Sequence, residues 1–263
     1  IDERAQKLPR KIRLLPPKPG NDRNSEGDFV QLEDGRVLFV YAHYFDGGGD
    51  VAPACLAARY SADGGQTWTE EDEIVVPRQA EDSIRSVSLL RLADGRIALF
   101  YLNCTSWPDD ERPLMKVSAD EGKTWSEAAS LIPDEDAGYY VTNNDRVVQL
   151  DGGRLLLPTS LHHDPPAKEF TGYGRIMVYI SDDAGASWRR SKTVRTGHRS
   201  GEERILLQEP GIIELKDGRL MMFCRTVLGC QYVSWSKDGG ETWSEFEPSE
   251  IFSPRSPASI ERI

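Results

Sequence analysis

Two short motifs alternate along this chain on one shared period, and nothing else in it constrains the fold as tightly. The first reads SADGGQTW, SADEGKTW, SDDAGASW and SKDGGETW, with Asp63, Asp120, Asp183 and Asp238 spaced 57, 63 and 55 residues apart. Each aspartate is followed five residues later by a tryptophan: Trp68, Trp125, Trp188 and Trp243. The second reads LEDGR, LADGR, LDGGR and LKDGR, centred on Gly35, Gly95, Gly153 and Gly218 with spacings of 60, 58 and 65. Two motifs holding a period near sixty residues mark a repeated supersecondary unit.

Asp-Gly or Gly-Gly between apolar runs is a hairpin turn, because glycine accepts positive φ and aspartate bonds back to nearby amides. FVQLEDGRVLFVYAHY therefore reads as two antiparallel strands, and ACLAARYSADGGQTWTEEDEIVV as a second hairpin turned by the first motif. Each repeat becomes four short strands, with no helical periodicity between them. The expected fold is all-β: a β-propeller of four-stranded antiparallel blades, in one domain over residues 1–263. Four repeats occupy 23–252, and SPRSPASIERI reads as the first strand of a fifth. A six-bladed ring at this period needs about 360 residues, so the expectation is about four and a half blades, with the ring C-terminally incomplete. KIRLLPP is a candidate outer strand for a last blade.

A net charge of −11 argues against nucleic acid or an anionic membrane as partner. No apolar run approaches the roughly 20 residues of a membrane helix. Cys55, Cys104, Cys224 and Cys230 form no CxxC pair, and no His/Asp/Glu spacing calls for a metal, so no cofactor is expected. Cys224 and Cys230 could face each other across a hairpin; buried free thiols are the other reading. The chain opens at Ile1, read as a processed or trimmed start with a lean towards a secreted or periplasmic protein.

The motif S-x-D-x-G-x-[ST]-W, four times at blade spacing on outer hairpins, resembles the Asp boxes of the sialidase (neuraminidase) superfamily. Its residues have folding roles: aspartate caps turn amides, glycine takes the special φ, and tryptophan buries its ring between strands. Function in a propeller collects where the innermost strands begin, a position found by counting back from each hairpin glycine. Glu209 lies nine residues before Gly218, and Arg225 ends the partner strand. This is similar to the sialidase segment in which a glutamate activates a tyrosine nucleophile and an arginine grips the substrate carboxylate. A rim ion pair of Glu209 with Arg204 or Arg225 is the alternative. Asp50, on the glycine-rich loop FDGGGD, resembles the sialidase acid/base aspartate, or else is a turn residue.

The first blade departs from the family. Where sialidases carry an arginine-isoleucine-proline motif, this chain has RNSEGDF, with Ser25 or Glu26 at the arginine position. Arg23 or Arg85 could replace the missing cation. In the third blade Asn143, Asn144, Asp145 and Arg146 suit sugar hydroxyls, though turn chemistry also explains the run. His162 and His163 follow the strand LLLPTSL, and His43 ends the first blade's second strand.

The resemblance implies an exo-acting glycoside hydrolase that cleaves a terminal, acidic sugar from a glycan. Asp50 would be acid and base, Arg225 with Arg85 would bind the acid group, and Glu209 would activate a tyrosine beyond Ile263. Sialidases depart from the two-carboxylate rule in this way. Two alternatives stay open. One is a propeller lyase or rhamnosidase-like hydrolase using His43 or His162. The other is a carbohydrate-binding propeller without catalysis.

Overall fold

The computed structural model describes residues 14–45, 47–80, 82–163, 172–200 and 203–260. The four Asp-Gly or Gly-Gly turns fold alike. Gly35, Gly95, Gly153 and Gly218 take φ between 78° and 90°, a region glycine enters without a Cβ penalty. In each turn the glycine N–H donates to the carbonyl of the leucine three residues earlier, at 2.7–3.0 Å. That leucine's own N–H donates to the arginine that follows the glycine.

These turns join the first two strands of four antiparallel units. The first unit runs in sequence order through Arg23–Gln31, Val37–Tyr44, Ala54–Ser61 and Glu73–Val76. The fourth does the same through Gln208–Glu214, Leu220–Arg225, Cys230–Ser236 and Glu247–Phe252. The second unit comprises Ser83–Arg91, Ile97–Ser106, Asp110–Ser118 and Ala129–Ser130. The third is more ragged, its inner strand reduced to Val148–Gln149 ahead of Leu155–His163 and Arg175–Ser181.

The second and third units are not separate sheets. A three-residue strand, Tyr139–Val141, pairs parallel with Asp110–Ser118 and antiparallel with Leu155–His163, fusing the two. The Glu111 N–H donates to the Gly138 carbonyl at 2.9 Å. Period-two reading of strands misses a segment this short, yet it sets Tyr139 in register with Glu111 of the neighbouring strand.

Alternation along the middle strands builds the core. Ile97, Leu99 and Tyr101 pack with Leu38, Val40 and Leu56 of the first unit, while Ala98 and Phe100 pack with Leu155 and Leu157 of the third. On the third unit Leu156 turns the other way, to Leu220 and Met222 of the fourth. A strand buried on both faces needs an unbroken apolar run, and IALFY and LLLP supply it. Each such side chain contributes about 1.5–3 kcal/mol on burial. Hydrogen bonds also tie successive inner strands: Leu89 N–H to Asp28 Oδ2 at 2.7 Å, Asp145 N–H to the Val87 carbonyl at 3.0 Å, and Arg146 N–H to Ser88 Oγ at 2.9 Å.

The repeated Asp motif closes the turn between third and fourth strands. Asp63 Oδ1 accepts the amides of Gln66 and Thr67 at 2.9 and 2.8 Å, and Oδ2 accepts the Thr67 hydroxyl at 2.7 Å. Those bonds, the hydroxyl's first, hold Asp63 down at about 2, and Asp120 and Asp183 behave alike. The turns clasp the preceding unit: Gly122 lies against Leu38, Gly185 against Met115 and Gly240 against Leu156. The tryptophans differ from expectation. Trp243 is buried at 5% exposure, whereas Trp68, Trp125 and Trp188 are only half-buried. Trp188 meets Phe100 edge-on with centroids 6.0 Å apart. Trp68 packs beside Phe29 and Phe39 of its own unit.

Two expectations at the ends change. Of KIRLLPP, residues 11–13 lie outside the described residues, and Leu14–Pro17 form no strand. Residues 253–260 also form no strand, and 261–263 lie outside the described residues. The four thiols are free: Cys55, Cys104 and Cys224 are buried, and Cys230 is half-buried.

Candidate active site

One backbone irregularity recurs at the start of each inner strand. Glu26, Ser86, Asp145 and Glu209 all adopt left-handed φ, at 55°, 60°, 55° and 50°. At the first, second and fourth the strand pairing shifts register there, as a β-bulge does. A non-glycine residue in this region costs of order 1–3 kcal/mol, and such strain gathers at functional sites. Nine residues before Gly35, Gly95 and Gly218 the count lands on Glu26, Ser86 and Glu209. In the third unit it lands on Asn144, one residue off the left-handed Asp145.

A cleft of about 260 Å³ opens where these bulges converge. Glu26, Asp50, Arg85, His162, Glu209 and Arg225 all line it, contributed by all four units. Asn144 and Asp145 do not. Asn143 takes the cleft position, the Asn144 amide donates to the Gly27 carbonyl at 3.4 Å, and Asp145 lines a separate pocket between the third and fourth units. The missing residue in that inner strand rotates the run by one place, which moves each side chain to a different face. His43 also lies off the cleft, 3.3 Å from Asp72.

Charges in the cleft are paired. On the first unit Arg23 bridges two carboxylates, reaching Glu26 Oε1 and Asp50 Oδ1 at 2.6 Å each, with its guanidinium 4.7 Å over the Tyr44 ring. Glu26 Oε2 also accepts the Ser86 hydroxyl at 2.9 Å. The Asp50 side chain is 75% exposed at the lip. On the fourth unit Arg225 Nη1 donates to Glu209 Oε2 at 2.6 Å. The rim ion pair therefore exists, and it lies within the cleft itself. The Arg225 Nε is buried with no hydrogen-bond acceptor.

Sequence reasoning missed six polar lining residues: Ser86, Glu111, Tyr139, Thr142, Gln208 and Arg255. Ser86 sits on the nine-residue count and was within its reach. Glu111 hides in the charge run DDER, which reads as a solvated hairpin. Instead it is 1% exposed and pairs with Arg85 at 2.5 Å, while the Tyr139 hydroxyl accepts from Arg85 at 3.4 Å. Burial pushes Glu111 up towards about 7 although Arg85 opposes the shift. Burial, followed by the Arg225 charge, pulls His162 down to about 4, so its imidazole is neutral at pH 7. Its ring meets Tyr139 at a tilt, with centroids 6.3 Å apart. Among the described residues no group of three His, Cys, Asp or Glu side chains could hold a metal ion.

This arrangement offers four carboxylates on three units, a neutral imidazole beside a phenol, and the guanidinium groups of Arg85 and Arg225 already engaged by acids. A sugar-sized ligand would meet hydrogen-bond donors and acceptors on every side.

Comparison with known proteins agrees with the architecture. Residues 44–262 match the BNR repeat-like domain. A sialidase from Micromonospora viridifaciens is 26% identical over 90% of this chain, and an anhydrosialidase from Macrobdella decora is 31% identical over 62%. The chain spans only 37% and 20% of those two proteins. Among solved structures, a protein of unknown function from Dyadobacter fermentans superposes with a TM-score of 0.71 at 19% identity, covering 89% of this chain and 71% of that one. The NanB sialidase of Streptococcus pneumoniae gives 0.69 at 16% identity, over 95% of this chain and 56% of its own. Repeats, blade-like sheets and these matches lead to one conclusion: the chain belongs to the BNR-repeat family, with the β-propeller fold of the sialidases.

Proposed function

We propose that the protein is an exo-acting glycoside hydrolase that removes a terminal, acidic sugar from a glycan. The observation that carries the reading is the convergence of Asp50, Glu209 and Arg225 on one cleft, within a family whose curated relatives include sialidases. In this scheme Asp50, exposed at the lip, protonates the leaving oxygen and later activates water. To do so it exchanges its Arg23 partner for substrate. Glu209 accepts the proton of a tyrosine nucleophile, and Arg225, already oriented by Glu209, donates to the sugar.

The first-unit wall bears on the substrate's orientation. A carboxylate placed about 4 Å from Glu26 meets roughly 4 kcal/mol of repulsion at an effective dielectric near 20. Arg23 offsets part of it, but a hydroxyl suits Glu26 better. The acid group then belongs on the fourth-unit side.

A second reading rests on the neutral, half-buried His162 beside Tyr139, a base and an acid within the same cleft. It makes the protein a lyase or a rhamnosidase-like hydrolase. Chromogenic sialic acid, uronic acid and rhamnose glycosides, given to the full-length protein, test both. Loss of turnover in Glu209→Gln and Asp50→Ala, with His162→Ala still active, supports the first reading. Normal hydrolysis by both carboxylate variants overturns it. Loss in His162→Ala alone favours the second.

A further inference from the structure

A second cavity, of about 390 Å³, is larger than the cleft and shares no lining residue with it. It lies on the first unit. Along the strand Val37–Tyr44, Leu38, Val40, Ala42 and Tyr44 enter the core, so Phe39, Tyr41 and His43 point to the opposite face. Arg59 stands directly across from Phe39 and shares that face. The cavity is formed there, between Arg59, Trp68 and Asp72 of the sheet and the segment Leu14–Lys18 that precedes it.

Both sides are fixed in advance. Lys18 and Asn21 exchange backbone hydrogen bonds at 2.9 and 2.8 Å, and the Asn24 amide donates to the Leu15 carbonyl at 3.4 Å. The Trp68 indole N–H donates to the Gly65 carbonyl at 3.1 Å, and its ring, packed beside Phe29 and Phe39, stays half-buried. Beneath lies an ion pair that the catalytic scheme does not use. Arg59 Nε donates to Asp72 Oδ1 at 2.6 Å and Nη1 to the Thr69 carbonyl. The Tyr41 hydroxyl donates to the same Asp72 oxygen at 2.5 Å, and His43 Nδ1 lies 3.3 Å from the other. Arg59, Tyr41 and His43 are 8% exposed or less. Taking such charges out of water is costly, and charged groups held at a cavity mark candidate binding sites.

The lining selects its ligand. Lys18 and Arg59 are matched by Glu70 and Asp72, so neither an acid nor a base gains from net charge. Gln66, Thr67 and Glu70, all exposed, bring donors and acceptors that suit hydroxyls, and Trp68 brings a flat apolar ring. An uncharged ligand with hydroxyls at its edge and a C–H face satisfies all three.

We propose that this cavity is a second, non-catalytic glycan-binding site that takes a neutral sugar seated on Trp68. It does not depend on the glycosidase reading, because it holds the neutral body of a glycan whether or not the cleft cleaves a terminal residue.

Calorimetric titration of the full-length protein tests it, with neutral trisaccharides of glucose, galactose or N-acetylglucosamine and with glucuronic acid as the charged control. Wild type should bind at least one trisaccharide with a dissociation constant of about 1 mM or below, and the cleft variant Arg225→Ala should bind it equally. Trp68→Ala should weaken that binding about 3- to 10-fold, the worth of an aromatic contact, while leaving glucuronic acid binding as it is. Trp68→Phe should keep part of the affinity. Because Trp68 also serves the fold, Gln66→Ala on the exposed rim repeats the test and should weaken the trisaccharide about 3-fold at an unchanged melting temperature. A wild type that binds no trisaccharide overturns the proposal. So does binding that Arg225→Ala abolishes, or that Gln66→Ala and every folded Trp68 variant leave intact.

Discussion

The outer turns and the inner-strand mouths repeat four times each, yet they repeat different things. At the outer edge backbone and side chains recur together: Asp63, Asp120, Asp183 and Asp238 each accept a backbone amide and a Thr or Ser hydroxyl at the same offset. At the mouths only the backbone recurs. Glu26, Ser86, Asp145 and Glu209 share one left-handed bend but not one chemistry. A position whose side chain serves the fold converges on one residue. A position whose backbone serves the fold frees its side chain for binding. The difference separates scaffold from site without any ligand in view.

The sharpest way to break that comparison is at the mouth. Glu209→Gln and Asp50→Ala should each lower glycosidase turnover by about 10²- to 10⁴-fold, the usual worth of a positioned acid or base, and leave the melting temperature nearly unchanged. A large fall in melting temperature with turnover intact would make Glu209 scaffold instead. At the outer edge the signs reverse. Trp243→Ala should cost about 3–5 kcal/mol, as for a buried tryptophan, measured by denaturant unfolding. Half-buried Trp125→Ala should cost clearly less, and equal losses would show that burial is not what grades the clasps. Smaller still, Asp238→Ala removes bonds to the Thr242 amide and hydroxyl and should cost about 1 kcal/mol, as a lost cap does, with activity unaffected.

The smallest effects concern pH. His162 is held below its ordinary value, so between about pH 4 and 6.5 only the unfolded chain takes the proton. Stability from this source is lost as pH falls through that window. Glu111 is raised, so between about pH 4.5 and 7 the folded chain holds more proton and stability falls as pH rises. The two slopes oppose each other. Glu111→Gln should leave melting temperature rising with pH from 4 to 6.5, and His162→Gln should leave it falling from 4.5 to 7, by about 2–4 °C per kcal/mol. Parallel pH profiles in both variants would contradict this.

How far the site was legible follows from where the counting works. Glu26, Arg85, Glu209 and Arg225 were reachable because the hairpin glycine marks a fixed number of strand residues, and strand geometry turns that number into a place; Asp50, on a loop, was reachable through the family resemblance. In the third unit the inner strand is one residue short and barely paired, so Asn144 and Asp145 were named together with Asn143, and of the three only Asn143 lines the cleft. Glu111 and Tyr139 were out of reach because the short parallel strand that carries Tyr139 obeys no repeat. Arg255 follows the last repeat, where no downstream glycine in the sequence permits a count.

What the sequence determined by itself is what local forces determine: the turns through glycine φ and aspartate capping, the strands through apolar runs, and the family through their period. Tertiary structure decided which charges are spent. Arg85, Arg225 and Arg255 are equivalent as letters, and only packing leaves Glu111 against one, Glu209 against another and solvent around the third. Arg85 and Glu111 stand 26 residues apart in the chain and Arg225 and Glu209 stand 16 apart, so each pairing depends on how the strands of one unit register and pack, which no short-range pattern encodes.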